Sequence, residues 1–107
     1  MWRTEFEGRL GKDPEMRYIA DGTPVTSFPV AVNWQEKGET KTEWLNCSVW
    51  RDLADKVNQD LRKGDLVRIQ GSQKTRPWEK ADGSTEKSID VNVFGFTVTE
   101  TIGAPIQ

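Results

Sequence analysis

Several residue types are absent or scarce in this chain of 107 residues. It has no histidine, which is the commonest general base and metal ligand, and its single cysteine leaves no partner for an internal disulfide. No stretch is apolar enough to span a membrane, and residues 1–7 carry charge where a signal peptide would be apolar. There is no nucleophile beside a base and no glycine loop that would cradle a phosphate. We therefore expect no catalytic site, no metal site and no cofactor.

Charge is distributed unevenly along the chain. The 15 Lys/Arg and 17 Asp/Glu give a formal net charge of −2, which argues against polyanion binding over the whole surface. Between residues 62 and 80 the balance reverses. The basic residues there are Arg62, Lys63, Arg68, Lys74, Arg76 and Lys80, against the two acids Asp65 and Glu79. Because salt screens charges beyond about 10 Å, this segment alone can attract an anionic partner.

The order of the predicted elements indicates the fold class. Residues 2–10, 24–34 and 43–51 alternate between apolar and polar, which predicts three strands, and residues 16–19 form a short extended piece between the first two. A helix of about ten residues follows, with Asp52 as its N-cap and Gly64 past its C-terminal end. Two more strands are joined by a hairpin at Asp82-Gly83. We predict an all-β, five-stranded OB-fold barrel with one short helix between strands 3 and 4; a generic small β-barrel is the alternative. The expected domain covers residues 1–100, with residues 101–107 as a short tail or the start of a linker.

The chain has five tryptophans, and most of them stand among polar neighbours. In the third strand, Trp44 and Trp50 share a side with Asn46 and Ser48, whereas Leu45, Cys47 and Val49 share the opposite side, which predicts the core face. Trp78 lies in a charged hairpin. Exposed aromatic rings can stack on unpaired bases. The alternatives are a subunit contact for the first pair and a cross-strand contact for Trp78.

Other aromatic and basic residues are assigned from the same alternation. Trp34 is a weaker stacking candidate, because it falls on the side of the inward Phe28, Val30 and Val32. Trp2, Phe94 and Phe96 are expected to be packing residues. Arg68, Lys74 and Arg76 share one strand face and are predicted to contact phosphates; the alternative is an ordinary solvated side of the barrel.

Five segments resemble those of bacterial-type single-stranded DNA-binding proteins. They are GRLGKDPEMRY at residues 8–18, TEW at 42–44, WRDLA at 50–54, LRKG at 61–64 and TRPW at 75–78. They occur in the family's order and cover nearly the whole chain. The resemblance implies an OB-fold that assembles as a homotetramer, binds single-stranded DNA without sequence preference and catalyses nothing. It places stacking aromatics at Trp44, Trp50 and Trp78, a further aromatic near Trp34, and basic contacts at Lys74 and Arg76.

The chain also departs from the pattern of that family. Glu5 and Glu7 interrupt the first strand, which in the family often pairs with its copy in a second subunit, and Pro77 replaces a common basic residue. No acidic residue follows Glu100, so tail-dependent replication and repair partners are not expected for this chain.

The predicted function is binding and protection of single-stranded DNA in replication, repair or recombination. The predicted location is the cytoplasm at the nucleoid, or an equivalent place in an organelle or a virus-infected cell. The alternatives are a primosome-type OB adaptor that acts mainly through protein contacts, and a reader of RNA or oligosaccharide.

Overall fold

The computed structural model describes residues 2–101, which form six strands and one helix. The elements are β1 (Arg3–Leu10), β2 (Glu15–Tyr18), β3 (Pro24–Glu36), β4 (Glu39–Trp50), α1 (Asp52–Asp60), β5 (Leu66–Glu79) and β6 (Thr85–Glu100). The predicted OB-fold barrel with one short helix is confirmed. The helix lies between the fourth and fifth strands rather than the third and fourth, because the short extended piece pairs with β3 and counts as a strand. The predicted tail falls, apart from Thr101, outside the described residues.

One mixed sheet closes on itself to form the barrel. Its strand order is β1-β5-β6-β4-β3-β2, and a second pairing of β1 with β3, at Arg9↔Ala31 and Leu10↔Val30, completes the closure. All neighbours are antiparallel except β4 and β6. Closure requires a residue without a side chain at Gly8, because a Cβ there would collide with the carbonyl oxygen of Ala31. This glycine allows β1 to leave β5 and cross to β3.

The core lies on the inward side of the strands, where the alternation predicted it. Its largest fully buried side chains include Val25, Val30, Val49, Val67, Ile69 and Val91, with Val57 and Leu61 from the region of the helix. Pro29 lies within β3 without disturbing the ladder to β4. The carbonyl of Pro29 accepts a hydrogen bond from Gly11, on the side of β3 that faces away from β4. The N–H and the carbonyl of a strand residue point to the same side, so the donor that proline lacks is not needed for the ladder to β4.

The helix is confirmed, but both predicted capping residues are wrong. The N-cap is Arg51, at φ 59°, and no side chain caps the helix; Asp52 is the first helical residue. The backbone N–H of Arg51 still donates to the carbonyl of Pro24, so the chain must turn sharply at this residue to enter the helix. The C-cap is Leu61 in an extended conformation, whereas Gly64, at φ 91°, belongs to the following turn. Within residues 2–101, no helix has the length and apolar character needed to cross a bilayer.

Two long hairpins extend beyond the barrel. Residues 33–42 at the β3–β4 connection are all exposed, and so are nearly all of residues 74–87 at the β5–β6 connection. Their backbones remain paired throughout, from Asn33↔Thr42 to Glu36↔Glu39 and from Lys74↔Asp90 to Glu79↔Thr85. These paired arms carry candidate residues of the site out from the barrel wall.

Candidate nucleic-acid interface

The site begins on the outer side of β4. Trp44 and Trp50 are 52% and 42% exposed, whereas Leu45, Cys47 and Val49 between them are buried. The predicted division of this strand is therefore confirmed. The two tryptophans are six positions apart in extended chain, which is about 20 Å, and polar Asn46 and Ser48 lie between them. The strand offers two flat aromatic surfaces with hydrogen-bonding groups in the interval.

Strands β6 and β5 widen this surface. Asn46 pairs with Asp90 of β6, and Asp90 pairs with Lys74 of β5, so the three side chains lie side by side across about 10 Å. Alternation along β5 then adds Arg76 and Trp78 to the same side. We call this surface the tryptophan face; its residues are Trp44, Asn46, Ser48, Trp50, Ser72, Lys74, Arg76, Trp78, Asp90 and Asn92. Three of the four predicted stacking residues and two of the three predicted basic residues thus lie on one face.

The two basic residues of the tryptophan face differ in their surroundings. Lys74 is exposed and forms no ion pair within residues 2–101. Arg76 donates from Nε and Nη2 to the two carboxylate oxygens of Asp90, at 3.0 and 3.4 Å. The hydrogen bond to Asp90 raises the pKa of Arg76. The hydrogen bond from Arg76 lowers the pKa of Asp90, as does a weaker one from Asn46. At neutral pH the tryptophan face therefore presents one cation outside any ion pair of the described residues, Lys74, and one cation bound to a carboxylate, Arg76.

Trp78 lies on the β5–β6 arm, where it is 44% exposed. It pairs across the hairpin with Glu86, whose carboxylate binds Lys80 at 2.6 Å. The short turn around Gly83 holds the arm together at its tip, as do the hydrogen bonds that Asp82 accepts from the backbone N–H and the hydroxyl of Ser84. The ring is thus carried on a paired scaffold but remains accessible.

The ring of Trp44 rests against the backbone of Gly11, at the end of β1. A Cβ built on Gly11 would lie 2.5 Å from Cζ3 and 2.7 Å from Cη2 of that ring. The N–H of Gly11 donates to the carbonyl of Pro29 at 3.0 Å, so this backbone is held in place. Beside it runs an open groove of about 270 Å³, lined by Lys12, Asp13, Glu15, Ser27, Phe28, Pro29, Asn46, Cys47 and Ser48.

Two predicted site residues lie away from the tryptophan face. Trp34 pairs with Lys41 and, by alternation, lies on the opposite side of the β3–β4 arm from Trp44; its Nε1 donates to Glu36 at 3.3 Å. Arg68 lies lower on β5, where its guanidinium is 3.9 Å from both Glu5 and Glu7 of β1. About 20 Å of strand separates it from Lys74.

Two aromatic residues that were expected to pack are exposed instead, so that expectation is wrong for them. Trp2 is 79% exposed because it precedes β1, beyond the part of that strand that enters the core. Phe94 is 44% exposed because it follows the buried Val91 and Val93 in alternation and therefore faces outward; a bulge, which pairs Val93 with Gly71 and Gly95 with Gln70, leaves it without a partner in the ladder. The guanidinium of Arg3 lies 5.2 Å from its ring centroid. Phe96, by contrast, packs against the core as expected.

Sequence reasoning missed Asp90, which lies in the middle of the tryptophan face. Its alternation with Ile89 and Val91 does place it outward, but nothing local indicates that it faces Arg76. Burial raises the pKa of the Cys47 thiol to about 12, so this group stays protonated at neutral pH. Among the described residues, no three His, Cys, Asp or Glu side chains are grouped so that they could hold a metal ion.

Comparison with known proteins yields a family and several relatives. Residues 1–98 match the model of the single-strand binding protein family. A single-stranded DNA-binding protein of Caldanaerobacter subterraneus is 44% identical over 72% of this chain and 53% of its own length. Single-stranded DNA-binding protein A of Bacillus subtilis is 39% identical over 76% of this chain and 49% of its own. Single-stranded DNA-binding protein 2 of Listeria monocytogenes is 36% identical over the whole of this chain and 62% of its own. The chain thus spans about half to two thirds of the length of these relatives. With its barrel and a family match over almost its full length, this chain belongs to the single-strand binding protein family.

Proposed function

We propose that this chain binds single-stranded DNA without sequence preference, by stacking bases on tryptophans and holding phosphates with basic side chains. The observation that carries the proposal is the tryptophan face, where Trp44, Trp50 and Trp78 are each about half exposed beside the exposed Lys74. Every base has an aromatic surface, so stacking tolerates any sequence. Phosphate contacts are equally indifferent to sequence.

The remaining predicted contacts belong to the edges of the same site. Trp34 lies on the back of the β3–β4 arm, and Arg68 lies beside Glu5 and Glu7 on the barrel wall. A DNA single strand that crosses only the tryptophan face reaches neither of them. A longer DNA strand that continues around the barrel passes both residues, so they would act as outlying contacts in a long complex.

We further propose that the chain acts as a non-catalytic protein that protects single strands and removes hairpins during replication, repair and recombination. The names of its relatives state single-stranded DNA binding, the activity on which this role depends. The place where it would act is the cytoplasm, at the nucleoid.

A homotetramer is the proposed assembly, and the open edge of β1 supports it. This strand pairs with β5 along Arg3–Arg9, but its other edge meets β3 only at Arg9 and Leu10. Backbone donors and acceptors before Arg9 are therefore available to a second copy. Glu5 and Glu7 do not oppose such pairing strongly, because Arg68 lies 3.9 Å from both and Gln70 donates to Glu5 at 3.3 Å.

A fluorescence titration tests the binding function. Oligo-dT should quench the intrinsic tryptophan emission strongly, and more salt should weaken the complex; duplex DNA and an oligosaccharide should have little effect. A comparison with oligo-rU measures the preference for DNA over RNA. Trp44→Ala should reduce the quenching and the affinity. The matched control is Trp2→Ala, which removes an exposed tryptophan outside the face and should leave the affinity unchanged. Unaltered emission with oligo-dT at saturation would disprove stacking and favour an adaptor that acts through protein contacts.

A further inference from the structure

An acidic residue occupies the middle of the tryptophan face. The two carboxylate oxygens of Asp90 accept hydrogen bonds from Nε and Nη2 of Arg76 at 3.0 and 3.4 Å, and one of them also accepts from Nδ2 of Asn46 at 3.3 Å. Lys74 lies directly opposite on β5. Three N–H donors of the proposed DNA-binding surface, two from Arg76 and one from Asn46, therefore bind one carboxylate of the same chain.

A carboxylate in this geometry uses the donors that a phosphate would use. Arginine binds carboxylates and phosphates through the same planar pair of N–H groups. While Asp90 is engaged, Nε and Nη2 of Arg76 are not available to a DNA backbone. The pair is also accessible, because the side chains of Arg76 and Asp90 are 59% and 36% exposed. An ion pair this exposed contributes little to folding stability, and a phosphate can displace the carboxylate.

We propose that Asp90 is an internal competitor of the DNA backbone, which occupies Arg76 in the free protein and thereby lowers its affinity for single strands. This inference rests on the proposed function. DNA must exchange the Asp90–Arg76 pair for a phosphate–Arg76 pair, and the displaced carboxylate then remains close to the bound strand. As a result, Arg76 contributes less to binding than Lys74, which forms no hydrogen bond or ion pair with Asp90 in the described part of the chain.

Asp90→Asn tests the proposal with little change of shape. The backbone pairing of residue 90 with Asn46 and Lys74 is retained, and the amide oxygen can still accept a hydrogen bond. The matched control is Asp60→Asn, which removes the same charge from an ion pair with Lys56 at 3.3 Å on α1. That helix packs mainly against β2, β3 and β4, and Asp60 is not part of the tryptophan face. Thermal melts of both variants verify that they are folded.

The measurement is the oligo-dT affinity over a tenfold range of salt in which the parent binds measurably. Asp90→Asn should bind more tightly than the parent, most of all at low salt. The salt slope is the slope of the logarithm of affinity against the logarithm of salt concentration. If one additional phosphate contact forms, this slope steepens by about 0.7, so the ratio of the variant's affinity to the parent's should shrink about fivefold across the range. Asp60→Asn should retain the parent's slope.

A second pair of variants separates release of Arg76 from a general charge effect. The gain in oligo-dT affinity from Asp90→Asn should largely disappear when the parent and the Asp90→Asn protein both also carry Arg76→Ala. An equal gain without Arg76 would overturn the proposal, and so would an Asp90→Asn protein whose affinity and slope match the parent's. If the parent itself does not bind oligo-dT, the proposed function fails, which is a different result from a parent that binds and a variant that gains nothing.

Discussion

Gly11→Ala should weaken DNA binding without unfolding the protein, because the added methyl group needs the space of the Trp44 ring. The new Cβ would lie 2.5 Å from Cζ3 and 2.7 Å from Cη2. Non-bonded carbons approach comfortably to about 3.5 Å, so one of the groups must move by about 1 Å. The backbone at Gly11 is held by its hydrogen bond to Pro29, whereas Trp44 is 52% exposed, so the ring is the part that moves.

The expected effects on stability and on affinity differ in size. Gly11 does not have a positive φ, so alanine suits its backbone and should shift the free energy of unfolding by no more than about 1 kcal/mol in either direction. A stacked aromatic contributes about 1–3 kcal/mol per base, a range measured on proteins of this kind, including this family, rather than calculated from this chain's geometry. A displaced ring retains part of that contact. We therefore expect a loss of about 1 kcal/mol in binding, which is about fivefold in Kd.

The assay is a double-mutant cycle read by oligo-dT titration, with fluorescence anisotropy of a labelled oligonucleotide so that the signal does not depend on tryptophan. Gly11→Ala is compared with the parent, and the same change is compared again in a Trp44→Ala background. With no ring to displace, Gly11→Ala should then have no effect on affinity. Equal losses in the two backgrounds would refute the reasoning, as would full affinity of the Gly11→Ala protein.

Four further outcomes follow from the same geometry. Trp78→Ala should cost about 1–3 kcal/mol of oligo-dT affinity, again the general range for such proteins, this family among them, and unchanged affinity would remove Trp78 from the site. Lys74→Ala should make the salt slope shallower by about 0.7, whereas Arg76→Ala should change it less; the opposite ranking would contradict the role given to Asp90. Cys47 should resist a thiol reagent at pH 8 until the protein unfolds, and rapid native labelling would show that the thiol is accessible. The contribution of this thiol to stability should decline above about pH 9, because the unfolded thiol ionises near 9.0 and the native one near 12. Light scattering should report four times the 12.2 kDa chain mass, and a monomer at micromolar concentration would rule out the tetramer.

The sequence by itself determined the inner and outer sides of the strands. Side chains alternate with a period of two whatever the neighbouring strands are, so the outward Trp44 and Trp50 and the inward Leu45, Cys47 and Val49 could be assigned from β4 alone. The same reasoning grouped Lys74 and Arg76 on β5. Alternation alone would put both Phe94 and Phe96 outward with Asp90, and it is the bulge at Phe94 that turns Phe96 inward. The capping pattern failed at the start of the helix, because the hydrogen bond from Arg51 to Pro24 sets the turn there.

Only the tertiary structure decided which of these surfaces meet. The parallel pairing of β4 with β6 places Asn46 beside Asp90, and the β5–β6 ladder places Asp90 beside Lys74. Closure of the barrel by β1 and β3 brings Gly11 under the ring of Trp44, and the pairing of β1 with β5 sets Arg68 beside Glu5 and Glu7. Apart from Asp90 and Lys74, which lie 16 positions apart in one hairpin, these contacts join residues more than 30 positions apart. They depend on strand order and register, which arise from packing of the whole core and leave no signal in any local stretch of sequence.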